Sequence, residues 1–230
     1  MIEIYAIKVP EFITESKFRR LLHYVSSKKK EQINRFIRHK DAYRTLLADI
    51  LIRIVIRNKF KMKIHEIKFD SNKYGKPYLK SPNKFSFNLS HSGDWVVCVT
   101  HQSDIGVDIE KIQSIDLNIA QHCFTKEEYC DLETKQEHQQ LEYFYDLWTL
   151  KESYIKAIGK GLHIPLNSFT IRKHCSNNII LQNSRIGNSW YFKQYELDPK
   201  YKLSICSMSN IFPDYIEIKD FCTLCKEIEN

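Results

Sequence analysis

Glycine is scarce in this chain. Only six occur in 230 residues, well under the usual share of about 7%. Five of them, Gly75, Gly93, Gly106, Gly159 and Gly161, fall in or beside segments that carry other signals, which points to special backbone geometry or close ligand approach there. Long apolar runs are missing as well, none nearing the ~20 residues of a membrane-spanning helix. The start, Met1-Ile2-Glu3-Ile4-Tyr5, has no basic region followed by an apolar block, so a soluble cytoplasmic protein without an export signal or membrane association is expected. A disulfide framework is also lacking. The seven cysteines are odd in number and scattered, and Cys222-x-x-Cys225 is the only tight pair, without the second pair or histidines of a zinc site. Reduced thiols are the expectation.

What is present begins with charge. A net charge of +7 and a pI near 8.9 suit an anionic partner: nucleic acid, a phosphorylated small molecule or an acidic protein. The length allows one large domain or two small, closely joined ones. Phe18, Leu21, Leu22 and Val25 predict a first amphipathic helix, and Ser26-Ser27 offers a cap for a second bearing Lys28, Lys29, Lys30, Ile33, Phe36 and Ile37. A longer helix is predicted from about Ala42 to Asn58. Phe85, Phe87 and Leu89 alternate with Ser86, Asn88 and Ser90, then Ser90-His91-Ser92-Gly93-Asp94 turns into Trp95 to Val99, a hairpin pattern. Thr125-x-x-Glu128 is a capping box, and Gly159 suits a helix C-cap. Strands are predicted at Phe169–Ile171, Ile179–Leu181, Trp190–Phe192 and Leu203–Cys206.

A weak internal repeat runs through this order. Arg44-Thr45-Leu46 precedes Gly75-Lys76-Pro77 and the strand Trp95 to Val99, as Trp148-Thr149-Leu150 precedes Gly159-Lys160-Gly161 and the strand Leu203 to Cys206. Two similar α+β halves, 1–103 and 104–230, would result, with a ligand cleft at their seam.

The strongest chemical signal lies at that seam. Ile105, Val107 and Ile109 alternate with Gly106, Asp108 and Glu110, the period of a half-buried strand that sends both carboxylates out by one face. Glu152 and Lys156, four apart in a helical pattern, share a face with Trp148 one turn earlier. If strand and helix meet, three carboxylates converge, and they repel one another unless a cation neutralises them. A hard divalent ion completed by a phosphate fits that chemistry. A solvated strand face and an ordinary charged helix fit the same spacing, and Lys156 could simply pair with Glu152. His91 could satisfy its own hairpin turn, whereas Arg44 among inward-facing apolar residues wants an anion.

The set Arg44-Thr45-Leu46-Leu47, Tyr74-Gly75-Lys76-Pro77, Phe87-Asn88-Leu89-Ser90-His91-Ser92, Gly106-Val107-Asp108-Ile109-Glu110 and Trp148-Thr149-x-Lys151-Glu152-Ser153-x-x-Lys156-x-x-Gly159-x-Gly161 resembles the Sfp-type 4'-phosphopantetheinyl transferases, in their monomeric, surfactin-synthetase-activating branch. The resemblance implies an α+β pseudo-dimer with its active site between the halves. It also implies transfer of phosphopantetheine from coenzyme A to a serine of an apo peptidyl or acyl carrier protein, as in nonribosomal peptide, antibiotic, polyketide or fatty-acid synthesis. Magnesium, with manganese as a substitute, would be held by Asp108, Glu110 and Glu152. Glu152 would take the serine proton, and Lys156 would lie against the phosphate under attack. Lys29, Arg44 and His91 would contact coenzyme A phosphates, Tyr74, Gly75, Lys76 and Pro77 would line the adenine side, and Ser90 would stand beside the phosphates. Gln32 departs from the pattern, since relatives carry a basic residue three positions after Lys29. Nucleic acid is not an expected partner.

Two other readings compete. A magnesium-dependent nuclease of the Asp…Glu-x-Lys kind has its glutamate and lysine two apart on a strand, not four apart on a helix as here. A non-catalytic module binding an anionic ligand would not need three convergent carboxylates. Between Lys111 and Phe124, finally, Ile112, Ile115, Leu117, Ile119 and Phe124 stand among few charges, an apolar segment that suits carrier docking or packing under the second half.

Overall fold

In the computed structural model, which describes residues 1–81, 84–175, 178–183 and 189–229, the same order of elements occurs twice. The first round is β1 (Glu3–Lys8), α1 (Glu15–Leu22), α2 (Ser27–Asn34), α3 (His39–Phe60), the short pair β2 (Phe69–Ser71) and β3 (Pro77–Leu79), then β4 (Ser86–Ser92) and β5 (Trp95–His101). The second is β6 (Ile105–Lys111), α4 (Ala120–Cys123), α5 (Lys126–Glu133), α6 (Glu137–Ile158), the pair β7 (Thr170–Cys175) and β8 (Asn178–Gln182), then β9 (Tyr191–Tyr195) and β10 (Tyr201–Ser207). In each round the last strand returns to pair antiparallel with the first, giving β1-β5-β4 and β6-β10-β9. The chain closes with β11 (Glu217–Lys219) and α7 (Phe221–Glu229).

The two sheets stack through their apolar faces. Ile4, Ala6, Val97 and Val99 of the first meet Ile105, Val107, Ile109, Leu203 and Ile205 of the second, while α3 covers the outer face of the first sheet and α6 that of the second. The order of layers is therefore helix, sheet, sheet, helix. β6 is buried on both faces at Ile105 to Ile109, more than the half-buried strand its alternation suggests, because α6 covers the face that carries Asp108.

Both long helices have 22 residues and end in a left-handed cap, Lys61 at φ 56° after α3 and Gly159 at φ 73° after α6. Ser26 caps α2 through the Lys29 N–H, and Thr125 with Glu128 forms the expected capping box of α5. The repeat of the sequence needs one correction. Gly75-Lys76-Pro77 lies in the β2–β3 turn, whereas Gly159-Lys160-Gly161 follows a long helix; the counterpart of Gly159 is Lys61.

Two elements from the expected second half, 104–230, reach back to the first sheet. β11 adds to the first sheet in parallel beside β1, and Leu224, Cys225 and Ile228 of α7 join the core under α3. Cys98, Cys123, Cys130, Cys206, Cys222 and Cys225 are free thiols, and no helix among the described residues is long and apolar enough to cross a membrane.

Gly106 sets how close α6 comes to β6. A Cβ there would overlap the Ser153 carbonyl oxygen and the Ala157 nitrogen of α6, and would stand 2.9 Å from the Ala157 Cα. The overlaps are with backbone, so no rotamer change relieves them. A residue without a side chain is what lets the helix lie directly on the strand, two residues from Asp108.

Candidate active site

The contact of β6 with α6 and the contact of β6 with β4 meet at one place. Gly106, Asp108 and Glu110 share the face of β6 that α6 covers, and Glu152 and Lys156 descend onto it one helical turn apart. Lys156 Nζ donates to Asp108 Oδ1 at 2.6 Å and to Ser90 Oγ at 2.9 Å. Ser90 in turn donates to Asp108 Oδ1 at 3.1 Å. Lys156 therefore pairs across the seam with Asp108, which the i,i+4 alternative did not foresee.

Asp108 is 2% exposed, and its Oδ2 is buried without a hydrogen-bond partner. An orphaned carboxylate oxygen in the interior costs on the order of 1–3 kcal/mol or more unless something binds it. Its neighbours carry the same stress. Burial first, then the charge of Asp108, pushes Glu110 up to about 7, with Glu152 adding and Ser92 and Lys156 opposing. Glu152 is raised by burial and then by Asp108, with Lys156 opposing. The three carboxylates thus act on one another, although among the described residues no three acidic, histidine or cysteine side chains already enclose a point at ligand distances. Hard oxygen donors, mutual repulsion and an unpartnered oxygen together fit a divalent cation of the magnesium type.

The anion-binding candidates fall into two groups. His91 points to the α3 side of β4, opposite Ser90, and its pKa is lowered by loss of solvation and then by the charge of Arg44, with Lys156 contributing. Arg44 donates to Gly93 O at 2.5 Å and pairs with Asp41 one helical turn away. Lys40 and Lys111 approach Asp94 at 2.8 and 3.8 Å, so the tip of the β4–β5 hairpin is ringed by cations. Lys29 stands apart from these contacts. Its Nζ donates to Gln32 Oε1 at 3.0 Å on the open face of α2.

The Tyr74–Pro77 turn is held against the end of α6. Asn72 Nδ2 donates to Gly159 O at 2.7 Å, and Lys76 Nζ donates to Ala157 O at 2.7 Å and Ile105 O at 3.2 Å. Burial lowers the pKa of Lys76. Its ammonium is committed to one carbonyl near the end of α6 and one at the start of β6, so it clamps the β2–β3 turn to both elements. Gly75, at φ +91°, has open space where a Cβ would be; Tyr74 packs edge-on to His163 at 4.9 Å, and Pro77 lines a small cavity with Lys76, Phe85 and Phe87.

Several residues of the motifs have roles that spacing did not show. Lys151, fully buried, holds Glu128 at 2.6 and 2.7 Å and Phe169 O at 2.7 Å. Removing one member of such a pair strands a buried charge, at a cost of roughly 3–5 kcal/mol; this lysine fixes α6 to α5. Asn88 and Ser92 bind β6 from across the seam. A helix interior that is otherwise apolar around Lys151, and the i, i+2, i+4 spacing of Asn88, Ser90 and Ser92, were the available signals.

A carboxyl whose folded pKa lies above its unfolded value binds its proton more tightly in the fold. The stabilisation is complete below the unfolded value near 4.5 and is lost as pH rises through about 7. Metal-free protein should therefore lose thermal stability between these pH values relative to Glu110→Gln, and magnesium should restore it at neutral pH. Melting curves in chelator, with and without added magnesium, measure this; a constant difference between the two proteins across the range would refute it.

Known proteins resemble this chain in sequence over most of its length. Residues 104–206 match the 4'-phosphopantetheinyl transferase superfamily, and residues 13–103 match the 4'-phosphopantetheinyl transferase N-terminal family. The chain is 39% identical over 219 residues to 4'-phosphopantetheinyl transferase Sfp of Bacillus subtilis strain 168, covering 95% of this chain and 98% of that protein. It is 40% identical over 214 residues to the ffp transferase of Bacillus subtilis, covering 93% and 96%. Against the gsp transferase of Aneurinibacillus migulanus it is 39% identical over 229 residues, covering 97% and 95%. With the two-fold α+β repeat and the acidic seam in place, this chain belongs to the 4'-phosphopantetheinyl transferase family.

Proposed function

We infer that the protein transfers the 4'-phosphopantetheine group of coenzyme A to a serine hydroxyl of an apo peptidyl or acyl carrier protein, releasing adenosine 3',5'-bisphosphate. The observation that carries this reading is the buried, unpartnered Asp108 Oδ2 beside Glu110, Glu152 and Lys156. The reaction breaks a pyrophosphate bond, so catalysis consists mainly of positioning and charge neutralisation.

In this reading Asp108, Glu110 and Glu152 hold magnesium, or manganese in its place. When bound, the ion supplies counter-charge to the pyrophosphate. Glu152, its pKa raised by burial and Asp108, is suited to accept the serine proton. Lys156, paired with Asp108 at 2.6 Å and partly exposed, would lie against the phosphate under attack. Ser90, whose hydroxyl proton goes to Asp108 Oδ1, would stand beside the phosphates. Arg44 and His91 grip the far phosphate, with Lys29 reaching it only by leaving Gln32. The two halves, 1–103 and 104–230, would make up a monomer in which β11 and α7 of the second return to the sheet and core of the first.

A cavity of about 630 Å³ opens beside Glu110, lined by Ile115, Ile119, Phe144, Tyr145 and Trp148. Its apolar wall and its place next to the acidic seam suit a short, partly apolar helix of the carrier. Phe124 takes no part in it. That ring is 3% exposed and packs on Phe144 at 5.2 Å, so the expectation that it is a docking residue gives way to a core role. Ile119, 45% exposed, is the better candidate.

Incubation with coenzyme A, magnesium and an apo carrier should add one phosphopantetheine to the carrier by intact mass, and Asp108→Ala should slow this by orders of magnitude while keeping its fold. Near-full activity of that variant would dismiss the site. Arg44→Ala should weaken binding of coenzyme A more than of dephospho-coenzyme A, since each lost charge-assisted bond costs roughly 1.5–3 kcal/mol; equal losses in calorimetry would remove Arg44 from the far-phosphate pocket. Ile119→Ala should raise KM for the carrier and leave coenzyme A affinity unchanged. An unaltered carrier KM would place docking elsewhere.

A further inference from the structure

β4 and β6 lie side by side without sharing a backbone ladder, since β4 closes the first sheet and β6 the second. Three side chains of β4 take the place of the missing strand. Asn88 Oδ1 accepts from the Val107 N–H at 2.9 Å, Ser90 Oγ from the Ile109 N–H at 3.2 Å, and Ser92 Oγ from the Lys111 N–H at 3.1 Å. The spacing of two residues on both strands makes the register strict, because a slip by one would turn all three side chains away.

The rungs are not equivalent. Among the described residues the Asn88 side chain bonds to backbone alone, whereas Ser92 also donates to Glu110 Oε2 at 2.7 Å. A hydroxyl has one proton. With its oxygen taken by the Lys111 N–H, the proton of Ser92 is aimed at the carboxylate, and Glu110 loses the freedom to swing toward solvent. Glu110 is the outermost of the two acids on β6 and lies at the mouth of the cavity that holds Trp148. It is therefore the acid most in need of an outside anchor.

We propose that Ser92 is a positioning residue for phosphopantetheine transfer: bound to the Lys111 N–H, it anchors the Glu110 carboxylate at the acidic seam and so limits the rearrangement that binding a divalent cation demands. The role rests on the assignment of Asp108, Glu110 and Glu152 as metal ligands. It is separate from the register role that Ser92 shares with Asn88. A hydrogen bond from outside the ligand shell both orients the ligand and removes the cost of ordering it on binding, and the loss of such partners typically weakens metal affinity by about 10–100-fold.

The test uses manganese as the probe, followed by electron paramagnetic resonance in the presence of coenzyme A and without a carrier, so that no turnover occurs. Ser92→Ala should weaken manganese binding by roughly 10-fold or more, Ser92→Thr should restore it, and both should keep the affinity for coenzyme A measured without metal. Asn88→Ser, at a rung that touches no carboxylate, should lower the melting temperature and leave manganese affinity unchanged. Manganese affinity that is unchanged in Ser92→Ala but lost in Glu110→Ala would overturn the positioning role alone. A loss that Thr fails to restore, or that Asn88→Ser shares, would reduce Ser92 to a register rung. Absence of manganese binding in the unsubstituted protein would remove the metal assignment and the positioning role with it.

Discussion

Everything at the seam depends on how β6 is covered. One edge pairs with β10 and one face rests on the opposite sheet, which leaves one edge and one face for chemistry. Backbone N–H groups on a buried edge must be satisfied. A neighbouring strand would do this, but it would also fill the space beside the carboxylates. Asn88, Ser90 and Ser92 satisfy the same groups with side chains, so β4 stands off by the length of a hydroxyl or amide. The remaining face is closed by α6, and Gly106 is what allows the helix backbone to come down to the strand. Wider coverage would leave Asp108 solvated and Glu152 remote; tighter coverage would exclude any ligand.

Within that frame the ion pairs sort by burial. Lys151 with Glu128 is sealed from solvent and satisfied on every side by Phe169 O, the Ile171 N–H and the Thr125 N–H, which is the condition under which a buried pair is tolerated. Lys156 with Asp108 is different. Its lysine is 29% exposed on the side chain, and Asp108 retains one oxygen with no partner. The two lysines of one motif, five residues apart on α6, thus divide into one that holds the helix in place and one whose bond can be exchanged.

The strand at 105–111, the hairpin at 86–101, the long helices and the capping box were legible in the sequence because each rests on a local period or a local cap. Convergence of Asp108, Glu110 and Glu152 was legible in part: alternation placed two acids on one face, and helical spacing placed Glu152 with Lys156. What spacing cannot supply is the partner of each group. Lys156 faces two candidate acids, four residues away or across the seam, and only tertiary geometry selects Asp108. Phe124 reads as a surface residue in an apolar segment and becomes core once Phe144 is placed beside it. Residues 217–229 fall within the expected second half, yet they join the first sheet and its core; parallel pairing with β1 is a long-range contact with no local signature.

The repeat poses a last question, which is why only one of the two equivalent clefts carries acids. Aligning the first residues of β5 and β10, Trp95 and Tyr201, pairs Lys8 with Lys111, and so sets Tyr5 at the place of Asp108, Ile7 at that of Glu110 and Glu3 at that of Gly106. Counting back from the caps Lys61 and Gly159, Ile54 stands for Glu152, Asn58 for Lys156 and Lys59 for Ala157. At the close contact of Gly106 with Ala157, the first half has instead an ion pair, Lys59 to Glu3 at 2.7 Å, with Thr100 also donating to Glu3. A bulky pair there holds α3 away from β1 where α6 touches β6. The free edge of β1 is then taken by the backbone of β11, and the edge of β6 by side chains. The first seam thus takes the backbone of β11 at its edge and carries Tyr5, Ile7 and Ile54 where the second carries Asp108, Glu110 and Glu152. The acids of the second seam lie on β6 and α6, beside three short polar side chains of β4 and next to one glycine, all within one polypeptide.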